Sequence, residues 1–155
     1  MKTVVLGLGN TLMGDDGAGI HAVSRLNASW SGLGDVDFVD GGTLSFTLTD
    51  ILAEADRLIV IDAAQLGAKP GTVEVFEDEG MDIFVRSGKC SSVHEVSLAE
   101  ILDMLRLTGD LPVQRALVGI QPEKLDWDEN LTPDIEKAVV FACGHATSLL
   151  EQWNR

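Results

Sequence analysis

Continuous apolar runs alternate along this chain with stretches whose apolar residues recur every three or four positions. Thr3 to Leu8 is such a run, the pattern of a parallel strand covered on both faces. A helix is predicted from about Asp16, with Ile20, Val23 and Leu26 on one face. Val36 to Val39 reads as a short strand ending in Asp40-Gly41-Gly42-Thr43, and a helix through Phe46, Leu48, Ile51 and Leu52 follows. Leu58 to Ile61 is a further buried strand with Asp62 at its end. Thr72 to Glu77 alternates apolar and polar residues, as a half-exposed edge strand does. Residues 78–93 read as irregular. Ser97-Leu98-Ala99-Glu100 fits a capping box and opens a helix carrying Ile101, Leu102 and Leu105. Arg115 to Ile120 is the last strand. Thr132-Pro133 is an N-cap followed by proline at the first helical position. The helix it opens runs to about Trp153, with a stripe of Ile135, Val139, Ala142, Ala146, Leu149 and Trp153.

Strands alternating with helices predict a three-layer α/β/α architecture around a mostly parallel, five-stranded sheet. The edge strand is free to run antiparallel, which would make the sheet mixed. No repeat, low-complexity tract or linker interrupts the 155 residues, so one domain over residues 1–155 is expected.

Composition narrows the setting. With 45% hydrophobic residues the chain can build a core. No apolar run reaches the roughly 18 to 20 residues that span a bilayer. Met1-Lys2-Thr3-Val4 enters a strand directly, without signal-peptide architecture, and Cys90 and Cys143 form no CxxC pattern. A cytoplasmic chain with free thiols is expected. The formal charge is −14, from 11 basic and 25 acidic residues. That field repels nucleic acid and anionic membranes and suits a cation or a basic partner, although solubility alone accounts for many acidic surfaces. A modest acidic domain of this kind is expected to be a monomer.

The candidate chemistry gathers where strands end. Gly7-Leu8-Gly9-Asn10 follows a strand, as a dinucleotide fingerprint does, but the third glycine position is Leu12. Asp15 and Asp16 would also compete with phosphate for the amides of the helix start. One acid there suffices for capping and dipole compensation, so the second is surplus. Asp16, Asp40 and Asp62 all fall at the carboxyl ends of predicted strands, where open α/β sheets form their sites. His94 lies in the polar loop Cys90-Ser91-Ser92-Val93-His94-Glu95, just before a capped helix. Two carboxylates and an imidazole can bind a divalent transition metal such as nickel or zinc. Taken singly, Asp62 suits an Asx-type turn and His94 a surface position. His21 lies off the apolar face of the first helix and reads as solvated, His145 as structural and Cys143 as helix packing. Cys90 sits in a loop, open to reaction or to a weak pairing with His94. No GxSxG elbow is present.

The segment Gly7-Leu8-Gly9-Asn10-Thr11-Leu12-Met13-Gly14-Asp15-Asp16-Gly17-Ala18-Gly19 resembles the N-terminal signature of the [NiFe]-hydrogenase maturation endopeptidases. Asp40-Gly41-Gly42-Thr43, Ile61-Asp62-Ala63-Ala64, Ser92-Val93-His94-Glu95-Val96-Ser97-Leu98 and Val118-Gly119-Ile120-Gln121-Pro122-Glu123 resemble further family motifs, in the same order. The resemblance covers nearly the whole chain. It implies an endopeptidase that removes the C-terminal extension of the hydrogenase large-subunit precursor after nickel insertion. It also implies that Asp16, Asp62 and His94 contact the nickel, which the substrate carries and the protein does not keep as a resident cofactor. Family members often carry glutamate at the position of Asp16, one methylene longer. The Asp40-Gly41-Gly42-Thr43 loop would line the cleft and take part in recognition. Whether a carboxylate activates water, as in aspartic proteases, or a metal does so stays open. A non-enzymatic, nickel-sensing chaperone of the immature subunit is the rival from another class.

Overall fold

The computed structural model describes residues 1–32, 34–42, 46–90 and 96–155. Its strands are β1 (Lys2–Leu8), β2 (Asp35–Gly42), β3 (Arg57–Ala63), β4 (Val73–Glu77) and β5 (Gln114–Ile120). Its helices are α1 (Ala18–Ser29), α2 (Leu48–Ala53), α3 (Glu79–Arg86), α4 (Leu98–Thr108) and α5 (Pro133–Trp153). The strands form one sheet in the order β2-β1-β3-β5-β4. β1 pairs in parallel with β2 and β3, and β3 with β5, whereas the edge strand β4 runs antiparallel to β5. The expected mixed sheet is therefore present.

Alternation along the buried strands divides the core into two layers. Val5, Ile59, Ile61, Ala116 and Val118 face a cluster built with α1 and α5. Val4, Leu6, Leu58, Val60 and Leu117 face one built with α2, α3 and α4. The predicted stripe of α5 is buried throughout. Ser97 caps α4 as expected: its Oγ accepts the Glu100 amide at 3.1 Å. Among the described residues, no helix is long and apolar enough to cross a membrane.

Several expectations need correction. Residues 79–86, read as irregular, form α3. Met81 and Val85 bury one turn apart, Phe84 stacks on Phe76 with centroids 4.2 Å apart, and Asp82 pairs with Arg115 at 2.6 Å. The helix is held by partners distant in sequence, which a local pattern does not display. α2 buries Leu48 and Leu52 but leaves Ile51 exposed, and Phe46, expected within the helix, precedes it and is exposed too. Ile20 is only half-buried, and α1 begins at Ala18, after a 3-10 turn over Gly14–Gly17. β2 continues through Asp40 and Gly41 to Gly42, three residues past the expected end at Val39. His145 is exposed, and His21 is half-buried with its Nε2 shielded and, among the described residues, without a hydrogen-bond partner.

Candidate active site

The carboxyl ends of β1, β2 and β3 meet at one edge of the sheet. β1 ends at Leu8, and Gly9 turns the chain with φ +133°, a conformation that side chains rarely adopt. A Cβ on Gly9 would lie 1.9 Å from the Asp16 carbonyl oxygen, so the turn and the acid-bearing segment touch. The Gly9 amide donates to the Gly42 carbonyl at 3.0 Å, tying the turn to the end of β2. Asn10 closes an Asx-type turn, its Oδ1 accepting the Leu12 amide at 2.9 Å. The close helix–strand approach expected of a third fingerprint glycine falls to Gly19, where a Cβ would sit 2.1 Å from the Ile61 carbonyl oxygen.

Asp16 follows in the 3-10 turn, 6% exposed. Its Oδ2 accepts the Asn10 amide at 3.0 Å, which aims the carboxylate back towards the glycine turn. The 3-10 turn also contacts β3. Asp62 is fully buried on β3, opposite Gly119 of β5. It shares the strand face of Leu58 and Val60, towards α2, α3 and α4. Ala64 bridges to Cys90, and the Gln65 amide donates to the Lys89 carbonyl at 2.7 Å. Burial, reinforced by the negative charge of Asp62, pushes the Cys90 thiol up to about 12. Cys90 is therefore a protonated thiol near neutral pH, against the expectation that it could react. Cys143 is buried, as expected, and donates to the Ala22 carbonyl at 3.4 Å.

Asp40 is exposed at the end of β2, where its Oδ1 accepts the Gly42 amide at 2.8 Å. Gly41 packs over β1, since a Cβ there would meet Leu6 Cδ1 at 2.7 Å. Asp40 and Gly42 line an open depression of about 290 Å³ with Gly9, Asn10, Thr11 and Ile20. Asp16 and Asp62 are not part of that lining. Of the expected site residues, His94 and Thr43 lie outside the described residues. Among the described residues, no three His, Cys, Asp or Glu side chains could hold a metal ion. The geometry thus brings the segment of Asp16 against the strand of Asp62 and places Asp40 on the neighbouring strand end.

Asp15, in sequence only one of two acids at a helix start, carries dense hydrogen bonding here. It is fully buried. Its Oδ2 accepts the amides of Glu123 (3.0 Å) and Lys124 (2.9 Å), and its Oδ1 accepts the Thr132 amide (2.8 Å). The Thr132 hydroxyl donates to it as well, at 2.8 Å to Oδ2. Thr132 still stands at the N-cap of α5, but its side chain caps nothing there. Neither acid caps α1, which starts without a side-chain cap. The surplus acid therefore fastens the segment after β5 to the turn after β1.

Comparison with known proteins gives this arrangement a family. The hydrogenase maturation protease family model, HycI, matches residues 20–149. The hydrogenase expression/formation protein HupD of Thiocapsa roseopersicina is 36% identical over 153 residues, spanning 98% of this chain and 69% of that protein. The hydrogenase 2 maturation protease of Escherichia coli is 34% identical, over 98% of this chain and 92% of its own length. The solved structure of the hydrogenase maturating endopeptidase HybD from Escherichia coli superposes with a TM-score of 0.90 at 33% identity, covering 98% of this chain and 93% of that one. A [NiFe] hydrogenase maturation protease HybD from Thermococcus kodakarensis superposes at 0.79 with 27% identity, covering 96% and 99%. This chain belongs to the hydrogenase maturation protease family.

Proposed function

We propose that this protein is an endopeptidase that removes the C-terminal extension of a [NiFe]-hydrogenase large-subunit precursor once nickel has been inserted. The observation that carries the reading is the pair of buried carboxylates, Asp16 and Asp62, borne by the turn after β1 and by the neighbouring strand β3. Two aspartates and the imidazole of His94 form a hard-to-borderline donor set suited to nickel that the substrate brings with it. Asp40, Gly41, Gly42 and Thr43 would recognise the precursor beside them. The two free thiols fit a reducing compartment, so the protein acts in the cytoplasm in this reading.

Hydrolysis adds water across the scissile amide. The water oxygen bonds to the carbonyl carbon, the C–N bond breaks, and the released amine takes up a proton. A carboxylate of the pair can accept the proton of the attacking water. The substrate's nickel, once held, can instead polarise the carbonyl or acidify the water.

Intact-mass spectrometry of the precursor, nickel-loaded and nickel-free, tests the reading. Loss of a C-terminal fragment from the loaded form alone is the expected result. Asp16→Asn, Asp62→Asn and His94→Ala should each abolish that loss. Full processing by any of the three would remove that residue from the mechanism. A stable complex with unchanged precursor mass would favour a nickel-sensing chaperone.

A further inference from the structure

Beside the candidate site, two short segments are laced into a parallel pair. The Asp128 amide donates to the Leu12 carbonyl at 2.9 Å, and the Gly14 amide donates to the Asp128 carbonyl at 2.9 Å. These two bonds make a parallel bridge between Met13 and Asp128. The Leu12 carbonyl thus lies against the amide that follows Trp127, so the two residues are neighbours across the contact. Both side chains are open to solvent: Leu12 is 43% exposed and Trp127 74%.

Single exposed apolar residues are ordinary. This pair differs in its mounting and its position. The Asp15 carboxylate holds the amides of Glu123 and Lys124, and the Asp15 amide donates back to the Lys124 carbonyl at 2.9 Å. Gly14 lets the segments approach closely, since a Cβ there would lie 2.8 Å from the Lys124 carbonyl oxygen. Trp127 thus stands in a segment fixed to the residue beside Asp16. Leu12 follows Thr11, which lines the depression with Asp40 and Gly42. A side chain carried on a fixed backbone needs less ordering on contact, which favours an anchoring position.

The surroundings state what such a surface would accept. Residues 123–129 contain Glu123, Asp126, Asp128 and Glu129 against the single cation Lys124. Glu123, Asp126 and Glu129 are exposed. An apolar side chain flanked by lysine or arginine would find both an apolar contact and opposite charge.

We propose that Leu12 and Trp127 form a docking shelf for the hydrogenase large-subunit precursor, receiving an apolar side chain flanked by basic residues and presenting the adjoining chain to the site. The proposal rests on the function proposed above. It assigns the shelf to substrate binding and gives it no part in the chemical step.

The test measures processing kinetics of the nickel-loaded precursor, together with its Kd by anisotropy of a labelled precursor. Trp127→Ala should raise KM and Kd at least about tenfold, the loss typical of an anchoring aromatic, and leave kcat within about twofold. Trp127→Phe should recover part of the loss, and Leu12→Ala should weaken binding less. Added salt should weaken binding by the wild type. Leu107→Ala, also exposed but on α4, should behave as wild type. Unchanged KM and Kd in both Trp127→Ala and Leu12→Ala, with the wild type processing normally, would overturn the shelf and spare the endopeptidase. Wild type that binds the precursor without shortening it, with a Kd weakened by Trp127→Ala, would overturn the endopeptidase and keep the shelf. Wild type that neither binds nor cuts would overturn both.

Discussion

Asp15→Ala should be among the most damaging single substitutions in this chain, although Asp15 is not one of the proposed catalytic residues. Removing the carboxylate strips the acceptor from three backbone amides and one hydroxyl, at 2.8 to 3.0 Å. A bond to a charged acceptor contributes about 1.5 to 3 kcal/mol, and a donor left buried without one costs about 1 to 3 kcal/mol. Glu123 and Lys124 lie on exposed residues, so water can replace part of what their amides lose. At about 1 kcal/mol per donor the loss is about 4 kcal/mol, a large share of the 5 to 15 kcal/mol that usually keeps a domain folded. With a urea slope of about 2 kcal/mol per molar, the unfolding midpoint should fall by about 2 M. Equilibrium urea unfolding followed by far-UV circular dichroism reads that shift. Asp15→Asn keeps one acceptor oxygen but turns an NH2 group towards N–H donors, and should fall between wild type and Asp15→Ala. A midpoint lowered by less than about 0.5 M in Asp15→Ala would refute the assignment of Asp15 as the fastening point.

Asp82→Asn should destabilise the fold by about 3 to 5 kcal/mol, because it leaves the buried Arg115 guanidinium without its carboxylate. The hydrogen bond from Arg115, opposed by burial, holds the Asp82 carboxyl below the usual carboxylate range. Its contribution is therefore complete above the ordinary value of about 3.9 and lost as pH falls through the lower folded value. The stability gap between wild type and Asp82→Asn should stay flat from pH 8 to about 5 and shrink only below about 4; a gap already closing between pH 8 and 6 would contradict this. Gly9→Ala should displace the Asp16 carbonyl, which a Cβ would approach to 1.9 Å, and abolish precursor processing in protein that still folds; processing at the wild-type rate would show that the turn tolerates the shift. With the Cys90 thiol held near 12, iodoacetamide at pH 8 should alkylate the native protein far more slowly than free cysteine, and rapid labelling followed by mass mapping to Cys90 would contradict the burial of that thiol.

The parts of the fold legible in the sequence are those whose burial repeats locally. β1, β3 and β5 are covered on both faces and so read as unbroken apolar runs. α5 packs one long stripe against the sheet, and its period survives for 21 residues. α3 has eight residues and only two buried apolar ones, and a further anchor is Arg115, 33 residues beyond Asp82. That pairing leaves no trace in the spacing around Asp82. Phe46 and Ile51 mislead for the opposite reason: the helix has six residues and buries only Leu48 and Leu52, so Phe46 falls before it and Ile51 on its outer side.

The same division decides how much of the candidate site could be read. Two adjacent acids at the start of a helix invite one shared explanation, and in sequence nothing separates them. The 3-10 turn does separate them, because successive side chains there point about 120° apart at three residues per turn. Asp15 is thereby turned towards Glu123, Lys124 and Thr132, more than a hundred residues away in the chain. Asp16 is turned back towards Asn10, six residues away. Asn10, to which Asp16 is tied, is local, so the position of Asp16 at a strand end could be inferred. The partners of Asp15 exist only once β5 has been laid beside β3 and the chain has returned to α5, so its role could not. One acid holds the turn in place and the other is the one proposed for the site, and this is why the two are not interchangeable: Asp15→Ala should show first in unfolding, and Asp16→Asn first in processing.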